Sequence, residues 1–516
     1  MKLKNKRGAG ILLPISALPS PYGIGTLGKS AYQFVDWLKE AGQTYWQVLP
    51  IGPTSYGDSP YQSFSAFAGN PYFIDLDILI EEGLLRQSEV DAVDWGDHDT
   101  EAAYGTIDYA KIFEARFDIL KKAYARSKHK EKESYQKFLR RNTYWIDDYS
   151  MYMALKVYFG QKAWTEWDDE IRFRKPEAMD KYRVLLADEI DFWKFLQYKF
   201  QKQWKKLRKY ANKNGVKIIG DIPIYVAMDS ADVWAHDRIF ELDERKEPIH
   251  VAGVPPDCFS ETGQRWGNPL YRWDVMEQDD FNWWRERMSA NARFYDVIRI
   301  DHFLGIVRYY SIPASCESAM EGTWEKGPGR KLTNAISEAI GKDTQIIAED
   351  LGLIVPEVRK LINKTGWPGM KILLFAFGDT SENEYLPHNF THPNSVVYGG
   401  THDNDTIVGY VETQTEQQLQ YLYKYLNVKT RQEIPDAMIR AGYASTAYLA
   451  VFQMQDILKL GNEARMNTPS TLGGNWCYRC RKTDLSLKRA KKLRHLAAVY
   501  GRNPQKLRKW NSSKES

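Results

Sequence analysis

The sequence predicts an α/β fold in which parallel strands alternate with helices. Short apolar runs rich in β-branched residues recur along the chain, and segments of helical length separate them. Four of these runs lead into an acidic residue, at Asp221, Asp301, Glu349 and Asp403. Parallel βαβ units place the carboxyl ends of all strands on one side of the sheet. If the sheet closes into an eight-stranded barrel, the four carboxylates therefore meet at one mouth.

The run 296–302 shows what such a strand end can offer. Side chains alternate along a strand, so Arg299 and Asp301 point the same way. The guanidinium favours an ionised Asp301, as a carboxylate nucleophile or a stabiliser of a cationic centre requires at neutral pH. An arginine–aspartate pair that only closes a strand would have the same pattern. The functional interpretation gains its weight from the three similar strand ends.

The first two strands are predicted at residues 10–15 and 44–50, with a Pro/Gly/Ser loop and a helix over 30–41 between them. The loop contains the GxGxxG spacing of a dinucleotide site at 23–28. A polar, proline-rich loop precedes this motif instead of a strand, and no isolated acidic residue ends a strand about twenty residues later. The pattern therefore disfavours a nucleotide site.

The loop at 54–66 follows the second strand and carries Asp58, Tyr61 and Gln62, which can form hydrogen bonds to a ligand. Barrels place their ligand contacts in such loops, although a purely structural loop fits the sequence equally well. Beyond it, the character changes to long, charged, amphipathic helical segments such as 109–128 and 192–213. An interruption of this length between two strands predicts an inserted helical subdomain.

The remaining strands are expected after this insertion. The third ends at Asp221, the fourth carries Asp301, the fifth ends at Glu349, the sixth spans 370–377 and the seventh ends at Asp403. An eighth is expected beside a helix within 444–458. We therefore divide the chain into 1–77 (strands 1–2 and a substrate loop), 78–212 (the mostly helical insertion) and 213–516 (strands 3–8, the catalytic residues and C-terminal helices).

Two segments between the third and fourth strands attract attention. Residues 251–260 are punctuated by glycine and proline, a pattern typical of a surface lid. Trp266 is flanked by turn residues, so we expect it to lie outside a regular core.

Composition excludes several function classes. The formal net charge is +4, from 71 Lys and Arg against 67 Asp and Glu, which gives no reason to expect a nucleic-acid or membrane-surface partner. The basic run at 488–509 is predicted to be a solvated helical face or tail. Aromatic residues make up 14% of the chain and either fill a core or stack on sugar rings. Composition does not separate these two uses.

Cysteine usage and the N-terminus favour a cytoplasmic location. The four cysteines, at 258, 316, 477 and 480, form no secreted disulfide framework, and the CxxC at 477–480 lacks the second half of a zinc site. The apolar stretch 11–13 stops at Pro14, which is too short for a signal peptide. No run approaches the roughly eighteen apolar residues that a membrane span needs.

The chemistry-bearing residues favour acid/base catalysis on an uncharged polyol. Carboxylates and histidines are present, whereas the sequence has no convergent metal-ligand spacing, Ser–His elbow or phosphate loop. Cleavage of a glycosidic bond needs such a set, with one carboxylate to attack the anomeric carbon and one protonated acid to serve the leaving oxygen. A third carboxylate can bind sugar hydroxyls more strongly in the transition state.

Eight ordered motifs, spread over nearly the whole chain, resemble the 4-α-glucanotransferases (amylomaltases, or disproportionating enzymes) of glycoside hydrolase family 77. They are LPSPYGIG (18–25), GDSPYQ (57–62), GDIPI (220–224), PPD (255–257), RWGNP (265–269), RIDH (299–302), AEDLG (348–352) and THDND (401–405). The resemblance implies an α/β fold of the (β/α)8 TIM-barrel type with helical subdomain insertions. It also implies action on α-1,4-glucans without a metal or an organic cofactor.

The resemblance assigns roles to individual residues. It implies that Asp301 is the nucleophile, Glu349 the general acid/base and Asp403 the stabiliser of the transition state. Residues 253–259 resemble a flexible loop over the acceptor side, and Tyr478 stands where the family has a tryptophan. The implied substrate contacts are Asp58, Tyr61, Asp221, Asp257, Trp266, Arg299, His302 and His402.

The expected activity is the transfer of an α-1,4-glucan segment to the 4-hydroxyl of another glucan or glucose, with retention through a glycosyl-aspartate. Maltooligosaccharides, starch or glycogen are the expected partners, and a monomer or weak homo-oligomer is expected. A hydrolase would use the same carboxylates with water as acceptor. A non-catalytic glucan-binding protein would lack one carboxylate, and a nicotinamide dehydrogenase would need a βαβ unit around Gly23.

Overall fold

The computed structural model describes residues 6–54, 58–96, 106–256, 260–352, 355–378, 380–471 and 473–503. Within these ranges the chain forms strands β1 (Gly8–Leu12), β2 (Tyr45–Gln47), β3 (Lys217–Ile222), β4 (His250–Val254), β5 (Gln264–Pro269), β6 (Val297–Ile300), β7 (Arg308–Pro313), β8 (Thr323–Lys326), β9 (Gln345–Ala348), β10 (Gly369–Ile372), β11 (Ser395–Tyr398) and β12 (Leu449–Gln453).

The same ranges contain helices of four to 27 residues. They are α1 (Lys29–Glu40), α2 (Leu76–Glu81), α3 (Gln87–Asp91), α4 (Tyr109–Ala125), α5 (Glu133–Arg141), α6 (Ile146–Tyr158), α7 (Asp169–Arg172), α8 (Pro176–Leu185), α9 (Ala187–Lys213), α10 (Ala231–Ala235), α11 (Trp273–Gln278), α12 (Asn282–Phe294), α13 (Leu304–Val307), α14 (Arg330–Ile340), α15 (Pro356–Thr365), α16 (Ile407–Thr413), α17 (Glu416–Leu426), α18 (Ile434–Ala444), α19 (Met454–Leu458) and α20 (Leu487–Val499).

Eight parallel strands form one sheet in the order β10–β11–β12–β1–β2–β3–β6–β9. The two end strands of this sheet, β9 and β10, lie close together. The Ala348 N–H donates to the Pro368 carbonyl at 2.9 Å, and the Met370 N–H donates to the Asp350 carboxylate at 2.7 Å. Helices surround this near-closed sheet, which confirms the predicted (β/α)8 barrel. The barrel brings the carboxyl ends of its strands to one mouth.

The predicted strands are present, with shifted ends. The first runs over 8–12 instead of 10–15, because Pro14 cannot continue a strand ladder. The second covers only 45–47 of the predicted 44–50. The sixth strand is shorter than the predicted 370–377, because β10 ends at Ile372 and residues 373–375 form a 3-10 helix. The expected eighth strand is β12.

Residues 78–212 are helical and contribute no strand to either sheet in the part that the structure describes. The longest helix, α9, packs against α1 and β3 of the barrel, and α4, α6 and α8 in turn pack against α9. Whether this stretch forms a separate subdomain stays a prediction.

A second, antiparallel sheet with the order β5–β4–β7–β8 corrects one prediction. Residues 251–254, predicted to begin a surface lid, belong to strand β4, and Trp266 lies on strand β5. The glycine and proline residues in these strands are more typical of loops, so the sequence pattern does not indicate strands here. In addition, the pairing of β4 with β7 joins residues about sixty positions apart. Trp266 is half-buried at the edge of the core, which agrees with the prediction that it lies outside a regular core.

Aromatic side chains account for much of the interior. Trp46, Trp164, Trp204, Trp234 and Trp284 are all fully buried. Burial of each large apolar side chain contributes roughly 1.5–3 kcal/mol to the free energy of unfolding. Many of the tryptophans therefore stabilise the core, while others line the barrel mouth. Among the helices of the described residues, none is long and apolar enough to cross a membrane.

Candidate active site

The four predicted carboxylates lie at the carboxyl ends of barrel strands. Asp221 is the last but one residue of β3, whereas Asp301 and Glu349 directly follow β6 and β9. Asp403 lies five residues beyond the end of β11. The register pairs Asp221 with Arg299 across neighbouring strands. The structure thus brings these side chains to the same end of the barrel.

Arg299 joins two of the carboxylates. Its Nη1 atom lies 2.8 and 2.7 Å from the two carboxylate oxygens of Asp221 and 2.9 Å from Oδ1 of Asp301. Burial lowers the pKa of Arg299, but Asp221 and Asp301 raise it by more, so the guanidinium stays charged. Asp221 and Arg299 are buried, whereas the Asp301 side chain is 28% exposed. Asp301 is therefore the member of this set that a ligand can reach.

Glu349 is buried and held by two backbone donors. The His302 N–H donates to Oε2 at 2.7 Å, and the Leu351 N–H donates to Oε1 at 2.9 Å. Burial and the nearby Asp301 raise the pKa of Glu349 to about 7, although Arg299 and the two N–H groups oppose that shift. A carboxyl group that titrates near neutrality can both donate and accept a proton under working conditions.

Asp403 has the opposite electrostatic character. Its Oδ2 lies 3.2 Å from Nε2 of His402, and its Oδ1 accepts a hydrogen bond from the Asn467 amide at 2.6 Å. Burial raises the pKa of Asp403, but His402 and Asn467 lower it by more, to about 2. Asp403 is therefore ionised at neutral pH while Glu349 exchanges its proton. Such a divergence between neighbouring carboxyl groups separates their chemical roles.

Tyr61 connects the Arg299 cluster (Arg299, Asp221 and Asp301) with the pair of His402 and Asp403. Its hydroxyl donates to Oδ2 of Asp221 at 2.9 Å and lies 3.2 Å from Nδ1 of His402. The two rings stack with their centroids 4.8 Å apart. Burial raises the pKa of Tyr61 well above its usual value, so the hydroxyl keeps its proton. Tyr61 thus fixes the orientation of both groups.

His302 and Trp266 form a second aromatic contact at the mouth. The indole and imidazole rings meet edge to face, with centroids 4.9 Å apart. Burial lowers the pKa of His302 to about 4, so the imidazole is neutral. Its Nε2 atom is buried and has no hydrogen-bond partner among the described residues. The backbone of His302 is left-handed, with φ of 52°, a conformation typical of functional sites.

One predicted contact, Asp58, lies apart from this cluster. Asp58 is half-buried and lines a neighbouring cavity with Tyr109, Trp476 and Tyr478. Burial raises the pKa of Asp58 to about 6. Asp257 lies outside the described residues, as does the end of the 253–259 loop.

Comparison with known proteins decides the family. The sequence signature of the 4-α-glucanotransferases, glycoside hydrolase family 77, matches residues 13–485. The chain belongs to this family. The resemblance predicted from the eight motifs is therefore confirmed, and so is the enzyme class.

Relatives of the 4-α-glucanotransferase family match along almost their full length. The 4-α-glucanotransferase of Clostridium butyricum is 49% identical over 490 residues, covering 95% of this chain and 99% of the relative. That of Thermus thermophilus is 46% identical over 501 residues, covering 95% and 98%. The solved amylomaltase of Streptococcus agalactiae in complex with acarbose is 42% identical and superimposes with a TM-score of 0.92, covering 96% of this chain and 100% of that one.

Three residues around the site were missed in the sequence. Asn467 donates to the Asp403 carboxylate, Arg465 donates to the Asp403 backbone carbonyl, and Trp476 packs against Tyr61. They lie in an irregular segment more than sixty residues beyond Asp403, where no periodicity marks a functional position. The motif GNW at 474–476 was a weak signal for Trp476.

The site thus combines a carboxyl group that can donate and accept a proton, Glu349, an ionised carboxylate, Asp403, and a solvent-accessible carboxylate, Asp301, beside a guanidinium. Aromatic rings surround these groups. In the part of the chain that the structure describes, no group of three or more His, Cys, Asp or Glu side chains is placed to hold a metal ion.

Proposed function

We propose that this 4-α-glucanotransferase cleaves an α-1,4 bond of a donor glucan and passes the released segment to the 4-hydroxyl of another glucan or of glucose. We further propose a retaining double displacement with Asp301 as nucleophile. One observation carries this proposal: Glu349 titrates near pH 7 in the same barrel mouth that holds Asp403 ionised and Asp301 beside Arg299. A retaining glycosyl transfer requires one carboxylate that attacks as a nucleophile and one carboxyl group that donates and accepts a proton.

In the first step, a carboxylate oxygen of Asp301 attacks the anomeric carbon. The bond between that carbon and the glycosidic oxygen breaks, and Glu349 gives its proton to the departing glucan. A glycosyl ester forms on Asp301 with inverted configuration. The Arg299 contact at 2.9 Å leaves the second oxygen of Asp301 available for this attack.

In the second step, the 4-hydroxyl of the acceptor loses its proton to Glu349 and attacks the same anomeric carbon. The ester bond to Asp301 breaks, and the second inversion restores the original configuration. The bond that forms is of the same kind as the bond that broke, so the reaction redistributes chain lengths without a large free-energy change.

Asp403 and the aromatic rim support the transition state in this proposal. An ionised Asp403 hydrogen-bonds sugar hydroxyls that become more acidic as positive charge develops on the ring. We propose that Tyr61, Asp221, Trp266, Arg299, His302 and His402 contact or frame the sugars at the cleavage site, and that Asp58 and Asp257 are further substrate contacts. The complex of the Streptococcus agalactiae relative with acarbose supports saccharide binding by this chain.

Incubation of the purified enzyme with maltotriose alone tests the proposed transfer. We expect a ladder of longer maltooligosaccharides together with glucose, resolved by chromatography. Maltose and glucose without longer products would indicate hydrolysis and would contradict transfer. An unchanged substrate would contradict catalysis altogether.

A further inference from the structure

The first turn of helix α4, in the helical region 78–212, contacts the back of the candidate active site. We infer that Tyr109 on this turn is a positioning residue, which holds Trp476 in place behind Tyr61 and His402. The inference rests on the proposed function, because it assigns to Tyr61 and His402 a role at the cleavage site. It gives the helical region a task at the barrel mouth.

Trp476 packs behind both of these residues. Its ring centroid lies 5.9 Å from that of Tyr61 and 5.8 Å from that of His402. Tyr61 in turn binds Asp221, and His402 binds Asp403. A displacement of the indole therefore reaches the Arg299 cluster by one route and Asp403 by the other.

The backbone of Trp476 does not favour this position by itself. Its φ of 64° lies in the left-handed region, where a bulky side chain is an outlier. Gly473 and Gly474, which precede it, also have positive φ values of 78° and 72°. Such a conformation persists only where the surrounding structure over-determines it. The contacts that hold Trp476 are therefore functional candidates themselves.

Two segments provide these contacts. The Tyr109 hydroxyl donates to the Trp476 carbonyl at 3.0 Å, and the Trp476 N–H donates to the Met466 carbonyl at 2.7 Å. The Ile107 N–H donates to the Cys477 carbonyl at 3.0 Å, and an isolated antiparallel bridge pairs Thr106 with Tyr478. Residues 106–109 thus fasten the segment 476–478 from one side.

Tyr109 is itself firmly placed. Helix α4 begins at this residue because the Asp108 carboxylate caps the helix by accepting the Lys111 N–H at 3.1 Å. Burial raises the pKa of Tyr109 well above its usual value, so the hydroxyl remains a donor. A rigid helix end carrying a fixed donor is suited to holding a strained backbone.

Removal of one hydroxyl group tests this role. Tyr109→Phe keeps the ring and its packing but removes the donor to Trp476. The matched control is Tyr135→Phe, because the buried Tyr135 hydroxyl donates at 2.8 Å to Asp191, which lies on α9 in the same helical region. Both variants lose one buried hydroxyl, but only the first touches the segment 476–478.

The assay is the disproportionation of maltotriose, with kcat, KM and the melting temperature determined for wild type, Tyr109→Phe, Trp476→Ala, the double variant and Tyr135→Phe. Misplacement of reacting groups by about 1 Å can cost about 100-fold in rate, so a partial loosening predicts a roughly tenfold lower kcat for Tyr109→Phe. We expect KM to change much less. The double variant should match Trp476→Ala, because no ring then remains at position 476 for Tyr109 to hold in place.

Three results would overturn the inference. One is a wild-type kcat in Tyr109→Phe, another is an equal loss of kcat in Tyr135→Phe, and the third is a double variant whose loss is the product of the two single losses. Failure of the wild-type enzyme to produce maltooligosaccharides longer than maltotriose would instead contradict the proposed function.

Discussion

Replacement of Glu349 by glutamine tests the assignment of the proton donor. The amide keeps the size of the side chain but supplies no proton to a departing glucan. In the wild type, both carboxylate oxygens of Glu349 accept hydrogen bonds from backbone N–H groups. The amide NH2 group of the glutamine must therefore face the N–H of His302 or Leu351, so one of these hydrogen bonds is lost. That loss costs about 1–3 kcal/mol of folding free energy, so the melting temperature has to be measured beside the rate.

The size of the catalytic effect follows from the role. Loss of a general acid costs about 10²–10⁴-fold in rate, so Glu349→Gln should be nearly inactive on maltotriose. An α-maltotriosyl fluoride needs no protonation of its leaving group, and its first step should therefore proceed at a rate close to that of the wild type. Release of fluoride, measured with an ion-selective electrode, follows this step directly.

Asp350→Asn is the matched control. Asp350 is half-buried, burial raises its pKa to about 6, and it accepts the Met370 N–H at 2.7 Å. The same carboxyl-to-amide replacement one residue away should leave most of the activity on both donors. Equal losses of Glu349→Gln on maltotriose and on the fluoride would refute the proton-donor role.

The pKa of Glu349 also fixes the pH dependence of the wild type. The first step needs the protonated form, and the pKa of about 7 is raised above the usual value of a glutamic acid. The ratio kcat/KM should thus be flat below pH 7 and fall about tenfold per pH unit above it. Because the folded state binds this proton more tightly than the unfolded state, the same group destabilises the fold as the pH rises from about 4.5 to 7. A flat pH profile up to pH 9 would contradict the assignment.

Three further substitutions test the other members of the site. Asp301→Asn should abolish turnover of maltotriose but leave glucan binding measurable by calorimetry; a variant that keeps more than a small part of the rate would refute the nucleophile. Arg299→Lys should lower kcat at least about 100-fold, because an ammonium group does not reproduce the planar guanidinium between Asp221 and Asp301; a rate near wild type would contradict this. Asn467→Ala removes a hydrogen bond worth about 1.5–3 kcal/mol to an ionised group, so kcat should fall at least about tenfold, and an unchanged kcat would exclude a role for Asn467 in orienting Asp403.

The barrel and its carboxylates could be predicted because local pattern and topology agree. Runs such as VIRI at 297–300 and QIIA at 345–348 are too apolar and too β-branched to be surface loops, and an acidic residue directly after each run stands out. Parallel topology then places all such ends together. The positions of Asp301 and Glu349 at the mouth follow from these two facts.

Other features depend on contacts that no local pattern encodes. Strand β4 was missed because its partners β5 and β7 define it, and strand β5, which carries Trp266, was missed for the same reason. Asn467 and Trp476 reach the site from a segment without periodicity, and nothing in the sequence marks the left-handed backbone of Trp476. The separation of the pKa values of Glu349 and Asp403 arises from burial and from neighbours distant in the chain, so it too required the structure.

The most direct test of the proposed double displacement is a mass spectrum of Glu349→Gln after incubation with α-maltotriosyl fluoride. The fluoride leaves without acid, but the missing base slows the second step, so the glycosyl ester should accumulate. We predict a maltotriosyl adduct on the proteolytic peptide that contains Asp301. Fluoride release without any adduct, or an adduct on a different carboxylate, would contradict the assignment of Asp301 as nucleophile.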